Sequence, residues 1–278
     1  MEQIKTISEM RRALATVGGS VGLVPTMGFL HAGHMALVER ARRENDIVVV
    51  TIFVNPTQFG PQEDLERYPR AMERDLAILA EKGVDLVFTP DPEEIYPPGY
   101  SSYVTVEGLS EKLEGAFRPG HFKGVATIVA KLFNIIPADR AYFGQKDAQQ
   151  VTIIKRMAQD LNFRHQIVVV PTVRDPDGLA LSSRNVYLNP EERRAALVLS
   201  KALFHARDLF DSGQRDANEL RAAMWAILKT EPMVKTDYVT VSDPDTLEEL
   251  SSIDTRALVA LAARVGNTRL IDNILLGE

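Results

Sequence analysis

Residues 47–54 read IVVVTIFV, and only Thr51 interrupts this apolar run. A strand with one exposed face alternates apolar and polar residues, whereas a strand buried on both faces is apolar almost throughout. The run therefore predicts a central strand of a parallel sheet that is covered on both sides.

Shorter strand-like segments on either side of this run alternate with amphipathic, helix-like segments. The predicted strands are 21–25, 85–89, 141–143 and 166–170, and the predicted helices are 36–45, 70–82, 124–136 and 148–161. Such repetition of strand and helix is typical of a parallel sheet with helices on both faces. We therefore predict an α/β, Rossmann-like domain over residues 1–173.

The pattern changes after Pro171, where the turn-rich segment 174–178 predicts a domain boundary. Asn189 is a capping residue followed by proline and two acids, which predicts the start of a long helix that ends near Ser212. A further helix is predicted at 217–229, and strands at 235–241, 257–263 and 269–276. Residues 174–278 are therefore predicted to form a smaller α+β domain.

The composition excludes several classes of function. The 278 residues include 32 Lys and Arg against 38 Asp and Glu, a net charge of −6 that argues against a surface coated by nucleic acid. With no cysteine, the chain has no disulfide, Cys-ligated zinc or thiol nucleophile. The longest apolar run is far shorter than the ~20 residues that span a bilayer, and the N-terminus lacks the apolar core of a signal peptide. We expect a cytoplasmic protein that binds neither nucleic acid nor membrane.

The segment Pro25–His34, PTMGFLHAGH, lies between the first predicted strand and the next helix. Ligands of open α/β sheets bind at this position, and the amides at a helix N-terminus attract phosphate. Gly28 and Gly33 allow the backbone to approach a ligand closely. His31 and His34 could both face that ligand. Alternatively, one histidine caps the helix while the other packs, or the pair binds a metal, although no third ligand is evident nearby.

Two further segments carry groups that suit a nucleotide. Gly144–Gln150, GQKDAQQ, offers Lys146 to phosphate and Asp147 to a ribose hydroxyl, although Asp147 could simply cap the next helix. Leu181–Asn185, LSSRN, combines two hydroxyls with a guanidinium, which together can bind an oxyanion. The alternative for this segment is a turn before the next helix.

Two more polar loops lie near predicted buried elements. Asn55–Gly60, NPTQFG, directly follows the buried strand, at the place where a second substrate would lie beside the nucleotide. Buried Asn and Gln side chains need specific hydrogen-bond partners, so this loop is a candidate substrate site. Gly115–Phe122 adds a loop that contains arginine and histidine before a helix.

The H-x-G-H tetrad that begins at His31 resembles that of the nucleotidylyltransferase superfamily. In chain order from Val24 to Leu188, the loops together closely resemble one family, the pantoate–β-alanine ligases. The segments that carry this resemblance are PTMGFLHAGH, VNPTQFG, RPGHFKGV, FGQKDAQQ and DGLALSSRNVYL. The chain departs from common family residues at Ala148 and Leu181, and neither side chain is expected to carry chemistry.

The resemblance implies an ATP-dependent condensation of (R)-pantoate with β-alanine that gives (R)-pantothenate, AMP and diphosphate. It implies an enzyme-bound pantoyl adenylate and no covalent nucleophile. Mg²⁺ would be carried mainly by the nucleotide phosphates, so no protein metal site is expected. The resemblance further implies a homodimer in which the small domain acts as a lid.

The resemblance also implies roles for individual residues. His34 and Lys146 would be catalytic, and Gln58 and Gln150 would bind pantoate and β-alanine. The residues implied to bind ATP are Met27, Gly28, Phe29, Leu30, His31, Ala32, Gly33, His34, Gly144, Gln145, Lys146, Asp147, Val173, Leu181, Ser182, Ser183 and Arg184. Among these, residues 181–184 would bind the outgoing diphosphate and the backbone around residue 173 would receive adenine.

Two other functions remain open at this point. A nucleotidylyltransferase that moves AMP onto a phosphorylated acceptor would share the histidine tetrad, but it would need an extra basic group where this chain offers Gln58 and Gln150. A non-catalytic nucleotide-binding module would not need Lys146, the Ser182–Arg184 segment and both glutamines together.

Overall fold

The computed structural model describes residues 1–61 and 63–277, and the first part of the chain forms the predicted parallel sheet. Its strands are β1 (Glu2–Ile4), β2 (Val21–Thr26), β3 (Ile47–Ile52), β4 (Leu86–Phe88), β5 (Arg140–Gly144) and β6 (Gln166–Val170). They pair in the order β1-β4-β3-β2-β5-β6, and every pairing is parallel. The predicted central position of the apolar run is confirmed, since β3 lies inside the sheet.

Helices connect these strands. They are α1 (Ile7–Ala15), α2 (Ala32–Glu44), α3 (Met72–Glu81), α4 (Pro92–Ile95), α5 (Glu114–Phe117), α6 (His121–Ile135) and α7 (Ala148–Asp160). Val24 and Val50 form one core cluster with residues of α2 and α3. Leu23 and Val49 precede them in each strand, so they point to the opposite face, and they are also fully buried. The sheet is therefore covered on both faces, which explains why β3 shows no alternation.

The order of the strands creates a switch point beside β2. From β2 the chain proceeds to β3 and β4 on one side, whereas β5 and β6 continue the sheet on the other side of β2. In open α/β sheets, ligands bind at the carboxyl ends of the strands next to such a point. The segment after Thr26, which ends β2, therefore begins at the expected ligand position.

The last hundred residues form a second core. The strands β7 (Val234–Ser242), β8 (Ala257–Val265) and β9 (Thr268–Leu276) make an antiparallel sheet in the order β7-β8-β9. The helices α8 (Pro190–Ala195), α9 (Leu197–Asp211) and α10 (Ala217–Leu228) complete it. Residues of α9 and α10, such as Leu203 and Leu220, share one buried cluster with Val259 of β8. The predicted small α+β architecture is confirmed.

The prediction of one long helix after Asn189 is wrong. Asn189 caps the helix start as predicted, with its side chain accepting from the amides of Glu191 and Glu192, but the helix breaks at Ala196 into α8 and α9. The amide of Leu199 donates to the Ala196 carbonyl, a bond three residues back that tightens the turn at this point. Neither Gly nor Pro marks the break, so composition gave no signal for it.

The chain divides into two compact units. The first unit contains Met1–Gly144 and Ile153–Pro171, and the second contains Gln145–Thr152 together with the chain from Thr172 onward. The second unit thus includes the short segment around Lys146. No helix in the described part of the chain is both long and apolar enough to cross a membrane.

Candidate active site

Residues 27–34 form the turn after β2 and the first residues of α2, and we call them the histidine turn. Gly28 has a φ of +81°, and a Cβ there would lie 2.9 Å from Cγ2 of Ile52, so only glycine fits. The carboxylate of Asp75, on α3, accepts hydrogen bonds from the amides of Phe29 at 2.7 Å and Leu30 at 2.9 Å. A buried carboxylate therefore fixes the backbone of the turn.

The two histidines of this turn hydrogen-bond to backbone amides through the same ring atom. His31 is the N-cap of α2, and its Nδ1 accepts from the amide of Gly33 at 3.1 Å. The Nδ1 of His34 accepts from the amide of His31 at 3.3 Å, and the two ring centroids lie 4.0 Å apart. The capping role considered for one histidine is confirmed for His31.

These contacts decide where each imidazole carries its proton. A nitrogen that accepts a hydrogen bond carries no proton, so each neutral ring has its N–H at Nε2. A protonated ring nitrogen donates to an anion and does not ligate a metal. Within residues 1–61 and 63–277, no group of three or more His, Cys, Asp or Glu could hold a metal ion. Because both Nε2–H groups are hydrogen-bond donors, the histidine turn is suited to phosphate oxygens.

The loop after β3 forms a short 3₁₀ turn, and we call Asn55–Gln58 the glutamine turn. Asn55 is 1 % exposed, and its Nδ2 donates to Oε1 of Gln58 at 3.0 Å and to the carbonyl of Gly124 at 3.1 Å. Its Oδ1 accepts from the hydroxyls of Tyr96 at 2.8 Å and Thr57 at 2.9 Å. The side-chain carboxamide of Asn55 therefore makes hydrogen bonds through both its nitrogen and its oxygen, and these bonds fix its orientation.

The orientation of Asn55 fixes that of Gln58. Because Oε1 of Gln58 accepts from Asn55, its Nε2 faces the other way and lies 3.2 Å from Sδ of Met27. The structure thus brings together two residues that the sequence predicted for ATP and for pantoate. Gln58 presents a donor, rather than an acceptor, beside Met27.

Helix α6 supports the glutamine turn from behind. A Cβ on Gly124 would lie 2.4 Å from the carbonyl oxygen of Thr57, so glycine is required where helix and turn meet. Nε2 of His121 lies 3.1 Å from a guanidinium nitrogen of Arg118, which can only donate, so Nδ1 of His121 carries the proton and donates to the Gln58 carbonyl at 2.9 Å. This contact gives a structural role to the arginine- and histidine-bearing loop that the sequence singled out.

Arg118 also binds Glu63 through two hydrogen bonds, of 2.7 and 2.6 Å. Burial opposes ionisation of Glu63, but the hydrogen bonds and positive charge of Arg118 outweigh it, and the pKa of Glu63 is lowered. The carboxylate therefore stays charged, and it ties the loop after the glutamine turn to Arg118, just before the start of α6.

In the second unit, the segment after β5 forms a 3₁₀ turn at Gln145–Asp147 that leads into α7. Nζ of Lys146 lies 3.8 Å from Oδ1 of Asp147, and the Lys146 side chain is 19 % exposed. The carbonyl of Lys146 accepts from Asn273 on β9 at 2.8 Å. Gln150 lies in the first turn of α7 and is partly buried.

The segments around Val173 and Leu181 lie side by side. The amide of Leu181 donates to the Val173 carbonyl at 3.0 Å, and Arg174 and Ala180 form an antiparallel bridge. Ser182 accepts from the amide of Arg184 at 3.2 Å and caps a 3₁₀ helix, so the turn considered as the alternative does form. The structure thus joins the segment predicted for adenine to the segment predicted for diphosphate.

The predicted site residues divide between the two units. Residues 27–34, Gln58 and Gly144 belong to the first unit, and residues 145–147, Gln150, Val173 and 181–184 belong to the second.

The sequence interpretation missed three residues that hydrogen-bond to the candidate site segments: Asp75, Tyr96 and Asn273. Asp75 precedes Leu79 by four residues on the buried face of α3, and a carboxylate in that position was a usable signal. Asn273 and its neighbour Asp272 interrupt an apolar strand, which is a second signal. Nothing in the sequence pattern marks Tyr96.

The parallel sheet, its switch point and the H-x-G-H turn that follows β2 define a nucleotidylyltransferase fold. Comparison with known proteins specifies the family. The family model described as "Pantoate-beta-alanine ligase" matches residues 2–275. The pantothenate synthetase of Roseiflexus sp. (strain RS-1) is 59 % identical over 276 residues and covers 99 % of both chains. That of Moorella thermoacetica is 57 % identical over 279 residues, which is 99 % of each chain.

Solved structures agree with this family. The crystal structure of pantothenate synthetase from Thermus thermophilus matches with a TM-score of 0.95 and 51 % identity, over 99 % of both chains. The pantoate–β-alanine ligase from Francisella tularensis, complexed with "Beta-gamma ATP and Beta-alanine", matches with a TM-score of 0.82 and 35 % identity, over 99 % of this chain and 97 % of that one.

The chain belongs to the pantoate–β-alanine ligase family. Its activity is the ATP-dependent ligation of pantoate to β-alanine, which confirms the prediction from the sequence. Family membership favours this ligase over adenylyl transfer to a phosphorylated acceptor and over a non-catalytic nucleotide-binding module.

Proposed function

We propose that the ligation proceeds through an enzyme-bound pantoyl adenylate. A carboxylate oxygen of (R)-pantoate attacks the α-phosphorus of ATP, and diphosphate leaves. The amine of β-alanine then attacks the acyl carbon, loses a proton and expels AMP to give (R)-pantothenate. A bare carboxylate is a poor acyl donor because its oxygen is a poor leaving group, and adenylation replaces that oxygen with a good one.

The observation that carries this proposal is the histidine turn. His31 and His34 both accept a backbone amide at Nδ1, so both carry the proton at Nε2 beside the N-terminus of α2. Preorganised N–H donors and helix-terminal amides stabilise charge that develops on phosphate oxygens. We assign His34 as the donor to the α-phosphate and residues 27–34 as part of the ATP site.

Lys146 is the second catalytic residue in this proposal. Its ammonium supplies positive charge where negative charge builds on the α-phosphate during attack. Gly144–Asp147 contacts ribose and phosphate, the backbone at Val173 receives adenine, and residues 181–184 bind the outgoing diphosphate. The hydrogen bond between Leu181 and Val173 supports the adenine and diphosphate assignments, because it holds these two segments next to each other.

Gln58 and Gln150 bind the acid substrate in this proposal. The hydrogen bond from Asn55 leaves Nε2 of Gln58 as the group that faces Met27. A carboxylate or hydroxyl oxygen of pantoate can accept from that nitrogen. The role of Gln150 rests on the family resemblance.

Mg²⁺ accompanies ATP in this proposal. It prefers oxygen ligands and is usually bound through substrate phosphates and water, where it neutralises negative charge. The histidine turn fits this arrangement, since its N–H groups donate to phosphate oxygens, and the phosphates themselves would supply the oxygen ligands of Mg²⁺.

The organisation of the whole protein is also proposed from the family resemblance. Residues 1–173 bind ATP and pantoate, residues 174–278 act as a lid, and two copies form a homodimer in the cytoplasm. Analytical ultracentrifugation of the purified protein tests the dimer, and a monomer at micromolar concentration contradicts it.

One assay tests the chemistry. Purified protein is incubated with ATP, β-alanine and (R)-pantoate whose carboxylate carries a heavy oxygen isotope. The mechanism predicts that AMP release from ATP requires both pantoate and β-alanine. The released AMP should carry one heavy oxygen. With ATP and pantoate alone, diphosphate should form only in an amount limited by the enzyme. Recovery of a covalent acyl- or adenylyl-enzyme would overturn the adenylate mechanism while leaving the ligase activity intact.

A further inference from the structure

Strand β9 buries a carboxyl group and a carboxamide at two consecutive positions. Asp272 and Asn273 are each 3 % exposed. Successive strand residues point to opposite faces, so these two side chains serve different partners. Burial of a polar group is unfavourable unless its hydrogen bonds are made, so the partners of each show what the pair does.

The carboxamide of Asn273 is directed entirely at the turn that contains Lys146. Its Nδ2 donates to the carbonyl of Gln145 at 3.1 Å and to the carbonyl of Lys146 at 2.8 Å. Its Oδ1 accepts from Nε2 of Gln145 at 3.0 Å. One side chain thus fixes two backbone carbonyls and a side chain of a segment that lies more than a hundred residues earlier.

The positions of those two carbonyls give this contact its consequence. The Gln145 carbonyl belongs to the peptide unit before Lys146, and the Lys146 carbonyl belongs to the unit after it. Fixing the planes of both peptide units fixes φ and ψ of Lys146, and hence the direction of its Cα–Cβ bond. Asn273 therefore controls where the Lys146 side chain starts.

Asp272 performs the corresponding task for the neighbouring segment. It binds Arg174, the residue after Val173, through two hydrogen bonds of 2.6 and 2.7 Å. It also accepts from the amide of Asn273 at 2.8 Å, which links the two polar residues. The dipeptide is thus bonded both to the Lys146 turn and to the segment that follows Val173.

We infer that Asn273 is a positioning residue that acts through Lys146 in the adenylation step. This inference rests on the proposed role of Lys146 at the α-phosphate. Asn273 need not contact substrate to have this role, because correct positioning of a catalytic group by itself contributes strongly to rate.

A double-mutant cycle tests the inference. Diphosphate release is measured in single turnovers at saturating ATP and pantoate for the wild-type chain, Asn273→Ala, Lys146→Ala and the double variant. We expect Asn273→Ala to slow release about tenfold to a hundredfold, as misplacement of a catalytic group does. In the Lys146→Ala background, the same change should slow release by less than about twofold, because residues that act through one another are not additive.

Val259→Ala is the matched control for a general loss of stability. Val259 is fully buried in the adjacent strand β8 and lies in the core of the same unit. At a comparable fall in Tm, this variant should release diphosphate at the wild-type rate. If Asn273→Ala does not fold, Asn273→Ser takes its place, since serine keeps one hydrogen-bonding group with less loss of packing.

Three results would overturn the inference. Rate losses that multiply in the double variant would show that Asn273 acts independently of Lys146. An equal rate loss in Val259→Ala would reduce Asn273 to a stability role. A Lys146→Ala variant with the full wild-type rate would show that Asn273 cannot act through Lys146, and it would also contradict the proposed role of Lys146. The other two results would leave the proposed role of Lys146 intact, so the two kinds of failure are distinguishable.

Discussion

The histidine turn and the glutamine turn follow neighbouring strands of the same sheet, yet different chemistry fixes each of them. The histidine turn rests on a buried carboxylate, Asp75, that accepts from two backbone amides. The glutamine turn rests on a neutral network in which Asn55 accepts a hydrogen bond from Tyr96 and donates one to Gln58. One support is ionic and acts on the backbone, and the other is neutral and acts on a side chain.

This difference predicts how each turn responds to mutation. Hydrogen bonds to a charged group contribute about 1.5–3 kcal/mol each, whereas neutral ones contribute about 0.5–1.5 kcal/mol. Loss of Asp75 should therefore disturb ATP binding more than loss of the Tyr96 hydroxyl disturbs pantoate binding. Variants that remove the residues proposed to contact substrate set the upper limit of the effect expected for each turn.

The largest effect is expected for His34→Ala. Removal of a donor that stabilises charge in the transition state lowers the rate about 10²–10³-fold, and we expect that loss in diphosphate release with ATP and pantoate. Thermal denaturation should show that the fold survives. His205→Ala, which removes an exposed histidine on α9, is the control and should leave the rate unchanged. Near-normal turnover in His34→Ala would remove His34 from the catalytic site.

Asp75→Asn should have the next largest effect. Asparagine has one acceptor oxygen, so one of the two amides of Phe29 and Leu30 then faces an NH₂ group. Loss of one charge-assisted hydrogen bond predicts an ATP KM raised about 10- to 150-fold, with a lower Tm. Isothermal titration with an ATP analogue measures the binding. Glu73→Gln, which removes an exposed carboxylate from the same helix, is the matched control. Unchanged ATP affinity in Asp75→Asn would show that the turn keeps its shape without the ionic support.

The contrast between the two turns also shows what the sequence could predict. The apolar run at 47–54, which only Thr51 interrupts, identified a buried central strand, because a strand that faces core on both sides has no reason to alternate. The position of the histidine turn followed from the strand before it and the helix after it. Both inferences depend on local pattern, and the structure confirms both of them.

The supports of the two turns depend on contacts that form only in the folded chain. Tyr96 lies 41 residues from Asn55 along the chain, and Asp75 lies 46 residues from Phe29. Neither distance corresponds to a helical or strand period, so pattern alone cannot pair them. The break at Ala196 was missed for a related reason, since alanine is a strong helix former and the geometry there depends on packing.

Gln58→Ala tests the substrate that the glutamine turn serves. If Nε2 donates to pantoate, its loss should raise the pantoate KM by about one to two orders of magnitude when a buried substrate group is left unpaired, and the ATP KM should change little. Steady-state kinetics with each substrate varied in turn measures both. Gln159→Ala, at an exposed position on α7, is the control. A raised ATP KM with normal pantoate dependence would reverse the assignment of Gln58.

The smallest effect is expected for Tyr96→Phe, and it tests the neutral support most directly. Asn55 keeps its bond from the Thr57 hydroxyl, so its amide orientation is weakened without being lost. Loss of one neutral hydrogen bond predicts a pantoate KM raised about two- to tenfold with kcat nearly constant.

The pH dependence of the pantoate KM in Tyr96→Phe, relative to the wild-type chain, sharpens the test. Burial raises the pKa of Tyr96 to about 12, so its hydroxyl remains a protonated donor at any pH used for assay. The ratio of pantoate KM values for Tyr96→Phe and the wild-type chain should therefore stay constant between about pH 6 and 9. Tyr100→Phe removes a hydroxyl from the adjoining ring, 5.0 Å away between centroids, and should leave the pantoate KM unchanged. Equal effects of the two substitutions would mean that loss of either hydroxyl raises the pantoate KM, and that the hydrogen bond from Tyr96 to Asn55 has no specific part in orienting Gln58.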